Sequence, residues 1–200
     1  FSSTLFGNFL GSNCSVVPIF HNQIAEGGPV TLTDKDMTRF VMSIHESVRL
    51  VLDSAEEAKG GEVFVTKMPV VRVEDLAIAM IEELAPLYGK AASDIKITTI
   101  GTKPGEKLYE ELMSSEETRR TIELEQYYSV LPAFRGIYND INYSYSTTVN
   151  KIVTNPYISE EETPLTVNEI KAFLKKNNLL GQPSETSDKR YWPGDKEEKS

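Results

Sequence analysis

Short β-branched runs alternate with amphipathic helical runs along the first hundred residues, and this alternation restricts the chain to an α/β architecture. Residues 2 to 8 mix small polar and apolar types and end in Gly7-Asn8, a strand running into a turn, with the loop GSNCS after it. From Val16 to about Ala25, Val17, Phe20 and Ile24 fall at helical spacing, with Ser15 at the N-cap, Pro18 in the first turn and Gly27-Gly28 as the stop. A short strand, Val30 to Thr33, leads through Asp34-Lys35-Asp36 into the extended MTRFVM. Residues 44 to 58 put Ile44, Val48, Val51, Leu52 and Ala55 on one apolar stripe, an amphipathic helix closed by Gly60-Gly61. EVFVTK at 62–67 is a strand, a short strand and a helix aligned on Leu76, Met80 and Leu84 follow, and IKITTI at 95–100 is the next strand.

The pattern is less regular beyond the loop Gly101 to Glu106. LYEELMSSEETRRTIEL is helical in character, YYSVL is a strand, and Phe134 to Asn155 suggests short strands or irregular packing. A last helix starts near Thr166, with Glu169 in capping-box spacing and Val167, Ile170, Phe173 and Leu174 as its apolar stripe. Residues 1–180 are therefore expected to form the ordered body and 181–200, polar and punctuated by Pro and Gly, a disordered tail. The opening FSSTLFGN starts on Phe1 and has no basic segment before an apolar one, so the chain is expected to be a piece entered in mid-fold.

A net charge of −9 and a pI near 4.9 argue against a nucleic-acid partner, which needs clustered Lys and Arg. No apolar run reaches the roughly 18–20 residues of a membrane helix, so no membrane contact is expected of this segment. The single cysteine, Cys14, and the two histidines give neither an intrachain disulfide nor a metal signature, and a reducing cytoplasmic setting fits.

Three stretches are more specific than composition requires: FGNFLGS at 6–12, TLTDKDMTRF at 31–40 and GTKPGEKLYEEL at 101–112. Singly, each has a plain reading: Gly7-Asn8 as a turn, Arg39 as a surface cation, Lys103-Pro104-Gly105-Glu106 as a tight turn. Together they supply tools for a nucleotide diphosphate sugar. A Gly-Asn turn after a strand lets backbone approach a ligand, and the Asn8 amide reads a carbonyl and a hydroxyl together. Arg39 and Lys103 offer positive charge to phosphates, and Glu106 is an acceptor for two hydroxyls.

In this order, FGNFLGSNCSVVPIF, GGPVTLTDKDMTRFVMSIHESVRLVL, GGEVFVTKMPVVRVEDLA and IGTKPGEKLYEEL resemble the CapD-like polysaccharide biosynthesis branch of the extended short-chain dehydrogenase/reductases, the inverting UDP-N-acetylglucosamine 4,6-dehydratases and their relatives. The resemblance runs from Leu5 to about Glu111, and LTVNEIKAFL looks like the family's ending. It implies the last strands of a Rossmann-like sheet plus the smaller substrate-binding lobe, with the N-terminal dinucleotide-binding half missing. It implies substrate contacts at Asn8, Val16, Thr33, Lys103 and Glu106, with Arg39 a further member, and places Phe9, Leu10, Gly11, Ser12 and Asn13 beside the nicotinamide end of NADP or NAD. The substrate implied is a UDP-sugar, processed by 4,6-dehydration or, as the alternative, 4-epimerisation; a non-catalytic sugar-nucleotide-binding module is a third reading. A homo-oligomeric, cytoplasmic intact enzyme, with any membrane anchor in the parent, is compatible with it.

The chain departs from the family at several positions. Leu5-Phe6 stands where Arg-Tyr is usual, Asn13-Cys14 where Arg-Gly is, and Lys103 where Arg is, which trades bidentate phosphate donors for a point charge or none. No GxxGxxG loop and no Tyr-x-x-x-Lys pair precede the FGN strand, so no catalytic residue is assigned to this chain; the tyrosine and lysine are expected upstream. His21, His45, Glu160-Glu161-Glu162 and the tyrosines read as packing or solvated residues.

Overall fold

The computed structural model describes residues 1–10, 15–134, 136, 138 and 140–181; Gly11 to Asn13 and the predicted tail from 182 lie outside them. In chain order the elements are β1 (Ser3–Leu5), β2 (Asn8–Phe9), α1 (Val16–Glu26), β3 (Val30–Leu32), β4 (Thr38–Met42), α2 (Ile44–Glu57), β5 (Val63–Thr66), β6 (Val70–Arg72), α3 (Val73–Leu84), β7 (Ile97–Thr99), β8 (Glu111–Met113), β9 (Thr121–Leu124), β10 (Tyr127–Val130), β11 (Thr148–Asn150), β12 (Tyr157–Ile158) and α4 (Val167–Lys176). This is the mixed α/β class that the alternation of segments predicts.

A five-stranded sheet runs β1-β5-β10-β9-β11, with β1 and β5 parallel, Ser3 beside Val63, and the other pairs antiparallel. A separate three-stranded sheet, β2-β4-β6, sets Asn8 beside Val41 in parallel register and Phe40 beside Val70 in antiparallel register. The predicted single strand over 2–8 is therefore divided: β1 and β2 belong to different sheets, and Phe6-Gly7 is the crossing. Asn8 sits in a strand and not in a turn. Gly7 is needed for clearance, because a Cβ there would lie 2.6 Å from Phe40 Cβ and 2.7 Å from Phe40 O.

The largest core joins α1, α3 and α4 to β3. Phe20, Ile24, Leu76, Met80, Leu84, Ile170 and Leu174 are buried together, as their helical spacing predicts. Gly27, in the left-handed region at φ 103°, ends α1 through its N–H to Gln23 O and Ile24 O. The Thr166–Glu169 capping box opens α4 as expected, and Ser43 with Glu46 makes the same device at the start of α2. Ser15 occupies the N-cap position of α1 without a capping side-chain bond.

Two expectations are corrected. The run 108–124 is not a helix: it forms β8, a short 3-10 turn over Glu117–Arg120, and β9, which pairs on both sides with β10 and β11. Met113, Thr118, Thr121 and Leu124 are buried there, so tertiary pairing outweighs the helix propensity of the Glu-rich sequence. In α2 the apolar stripe, which amphipathicity assigns to a core, faces outward: Ile44 is 58% exposed and Leu52 64%, while Ser47 and Ser54 are buried. Around α2, Leu50 packs with the cluster of Phe64 and Tyr127 on β5 and β10, and Ser54 reaches Thr4 of β1 at 2.9 Å. At 3.6 residues per turn, continuing in that sense brings Val51, Ile44, Ala55 and Val48 out beyond β1, whose far edge has no strand partner among the described residues.

Candidate functional site

Four of the predicted substrate residues, Thr33, Arg39, Lys103 and Glu106, converge on the end of β3 and the start of β4. Thr33 follows β3 directly, and its hydroxyl donates to Glu106 Oε1 at 2.9 Å. The second oxygen, Glu106 Oε2, accepts the Lys103 backbone N–H at 3.1 Å, and the Glu106 N–H returns to Lys103 O at 3.0 Å. Lys103-Pro104-Gly105-Glu106 is thus a closed turn with proline at its second position and glycine at its third. Gly105 has φ +84° in open space, so backbone conformation and not crowding requires glycine there. The turn holds the Glu106 carboxylate half-buried against Thr33 and leaves Lys103 exposed.

Arg39 holds the descending arm of the same loop. Its Nη1 donates to Thr38 O at 2.7 Å and Leu108 O at 3.2 Å, and its Nη2 to Lys107 O at 2.6 Å. The Thr38 N–H donates to Leu108 O at 3.0 Å, and the Phe40 N–H to Glu110 Oε2 at 3.1 Å. Burial pushes the Arg39 pKa below the ordinary arginine range, opposed by the carboxylates of Glu110 and Glu106. Burial likewise pushes Glu110 above the usual carboxylate range, against the Phe40 N–H, Arg39 and Lys107.

Beneath the loop lies a small buried network. Thr38 Oγ1 and Ser159 Oγ are 2.8 Å apart, the Glu110 N–H donates to Ser159 Oγ at 2.9 Å, and the Ser159 N–H donates to Glu110 O at 2.8 Å. Glu110 and Ser159 were not singled out by sequence: the first lies in the run read as helix, the second in the weakly patterned final third. No sequence signal marks Glu110: it stands four residues after Glu106, a spacing that suits the helix predicted there, and both are half-buried.

Asn8 is exposed on β2 opposite Val41, on the strand that carries Arg39 two residues earlier. Val16 opens α1, half-buried against the main core, and Gln23 of the same helix is tied to Thr31 of β3 by bonds of 2.7 and 3.0 Å. The structure therefore joins Thr33, Arg39, Lys103 and Glu106 through one hydrogen-bonded loop and places Asn8 on the adjoining strand. It does not link Val16 to that group by any described hydrogen bond.

Of the residues expected beside a nicotinamide, Phe9 and Leu10 are described. Phe9 is half-buried 6.0 Å from the Phe6 ring, and Leu10 is buried in the core with its N–H on Met42 O at 3.2 Å. An aromatic flank fits a flat apolar ring, while Leu10 has only backbone to offer. Neither residue carries charge for a phosphate, and Gly11, Ser12 and Asn13 lie outside the described residues.

Elsewhere, a groove of about 450 Å³ is lined by Asp53, Glu56, Glu57, Lys59, Glu125 and Tyr127, four carboxylates to one ammonium, a balance unfavourable to a diphosphate. Among the described residues no cluster of three His, Cys, Asp or Glu could hold a metal ion, and no helix is long and apolar enough to cross a membrane.

Comparison with known proteins gives a consistent picture. A family described as polysaccharide biosynthesis protein matches residues 1–132. The "Uncharacterized membrane protein MJ1061" of Methanocaldococcus jannaschii is 48% identical over 90% of this chain and 50% of that protein. A "UDP-glucose 4-epimerase" of Rickettsia akari is 39% identical over 86% of this chain and 48% of its own length. A "UDP-N-acetylglucosamine 4,6-dehydratase (inverting)" of Campylobacter jejuni is 37% identical over 72% of this chain and 40% of its own. The solved structure of Pen from Bacillus thuringiensis superimposes with a TM-score of 0.78 at 36% identity, over 90% of this chain and 51% of that one. The chain thus spans about half the length of such relatives.

Proposed function

We propose, from the premise that this chain belongs to the polysaccharide biosynthesis protein family, that it forms the substrate-side lobe of an NAD(P)-dependent 4,6-dehydratase acting on UDP-N-acetylglucosamine-like sugars. The observation that carries the reading is the joining of Thr33 to the Lys103–Glu106 turn, with Glu106 lying 73 positions further along the chain, into one bonded constellation. In this reading Glu106, oriented by Thr33 and the Lys103 N–H, accepts ribose hydroxyls, exposed Lys103 meets the diphosphate, and Asn8 and Val16 border the sugar. Phe9 flanks the nicotinamide, which when bound supplies hydride-transfer chemistry. The share of these residues is to bind and orient. In this reading the acid and base groups come from outside these 200 residues, and the chain by itself turns nothing over. A cytoplasmic setting belongs to the same reading.

Titration of UDP-N-acetylglucosamine into the chain, and into a polypeptide extended upstream with NADP, tests it. Saturable binding by the first and a 4-keto sugar from the second are expected; absence of both rejects the enzymatic reading.

A 4-epimerase lobe is the second reading, favoured by the longer match to the Rickettsia protein, 174 residues against 145 for the dehydratase. Product analysis separates the two, since an epimerase keeps the C6 oxygen that a dehydratase expels.

A further inference from the structure

The contacts of Arg39 are unlike those of a phosphate ligand. A guanidinium has five N–H donors, and three are spent on the backbone carbonyls of Thr38, Lys107 and Leu108. Two of those carbonyls belong to the segment that comes down from the Lys103–Glu106 turn. The Thr38 N–H and the Glu110 carboxylate fasten the same segment to β4 from either side of Arg39. The planar fork suits this work, because carbonyls of consecutive residues diverge and a lysine ammonium, a single point on a flexible stem, cannot hold them in fixed directions. Part of the charge is also offset: Glu110 and then Glu106 are the carboxylates that bear on Arg39.

We infer that Arg39 is a positioning residue, which acts on the substrate through the 103–110 loop by fixing where Glu106 and Lys103 stand relative to Thr33. This rests on the reading that Lys103 and Glu106 grip the nucleotide. It departs from a direct phosphate contact by Arg39, the role its charge suggests in sequence.

The two roles separate by probe. A direct phosphate ligand matters for UDP-N-acetylglucosamine and not for uridine, whereas a loop brace matters for both, because Glu106 grips the nucleoside that they share. The affinities of the 200-residue chain for each probe are measured by calorimetry for the parent, Arg39→Lys, Arg39→Gln, Glu106→Gln and the double variant Arg39→Gln/Glu106→Gln. Amide exchange of residues 103–110 is followed without ligand. Arg39→Gln is expected to weaken uridine as well as UDP-N-acetylglucosamine, roughly tenfold for loss of charged hydrogen bonds, with Arg39→Lys in between. Its effect should largely vanish on the Glu106→Gln background, as for residues acting through one another. Exchange at the Glu106 N–H should accelerate, while α3 amides, which report global folding, stay unchanged.

A loss confined to UDP-N-acetylglucosamine, additive with Glu106→Gln and with loop exchange unaltered, overturns the inference in favour of direct contact. If the parent binds neither probe, the proposed function is decided by the 4-keto-sugar test of the extended polypeptide. The exchange comparison then still decides the brace: unchanged protection at 103–110 rejects it.

Discussion

The five-stranded sheet with α2 and the loop site on β3 and β4 are built on opposite plans. The sheet side is held by apolar and aromatic packing, Phe64 against Tyr127 and Tyr145 at 5.5 and 6.1 Å, yet carries an outward apolar stripe on its helix. The site side is held by polar bonds between segments, Thr33 to Glu106 and Arg39 to the 107–108 carbonyls, above an aromatic floor of Phe40 and Tyr157 with ring centres 4.4 Å apart. The difference is one of what a substitution removes. On the sheet side stability is lost with buried area, and on the site side geometry is lost with little stability.

The sharpest way to break this contrast is Phe64→Ala. Phe64 is 1% exposed, and removing its ring should cost about 3–5 kcal/mol by denaturant unfolding, whereas Leu52→Ser on the outward stripe should stay within about 0.5 kcal/mol. A loss for Leu52→Ser comparable to that for Phe64→Ala would show that the stripe is covered in solution. Next comes Gly7→Ala, at the crossing between the two sheets. A Cβ meeting Phe40 backbone oxygen at 2.7 Å should cost about 1–3 kcal/mol, since the obstacle is backbone and cannot rotate away. An unchanged melting midpoint would mean that the sheets slide apart freely at this joint.

Tyr127→Phe removes the hydroxyl that donates to Leu50 O, and about 1 kcal/mol should go with it; burial, first among the causes, holds that phenol up at about 12, so the effect should not vary with pH below 10. The smallest effect belongs to His21, buried in α1. Burial, outweighing the carbonyl of Leu180, holds its imidazole below the ordinary value of 6.5. The unfolded chain takes up a proton at that pH and the folded chain resists it, so this stability is present above about 6.5 and is lost as pH falls toward the folded-state value. Melts of His21→Leu across pH 7.5 to 5 should slope less than those of the parent.

Much of this was legible in the residues. The α1, α3 and α4 stripes are buried as their spacing indicates, and the α4 capping box forms between Thr166 and Glu169. Chemical type picks out Arg39, Lys103 and Glu106, the family resemblance adds Thr33, and the loop joins them. What escaped was set at long range. Periodicity shows that α2 has two faces but not which one meets the sheet, and small Ser47 and Ser54 win the inner place because they let the helix approach β1 closely. The 108–124 run has helical composition, but β10 and β11 satisfy its backbone as a strand instead. Glu110 was hidden by that misreading, since its role depends on β4 and on Ser159, remote in sequence.

The Thr38–Ser159 contact spans 121 positions, and Ser159 lies past residue 132, where the family match stops. Thr38 and Glu110 can meet during synthesis well before residue 159 emerges, but the pin between them cannot be set until then. A contact of such sequence separation closes late, after the entropy of a long loop has been surmounted. The rim formed by the 103–110 loop should therefore become rigid late, completed by a segment beyond the residues 1–132 that the family matches.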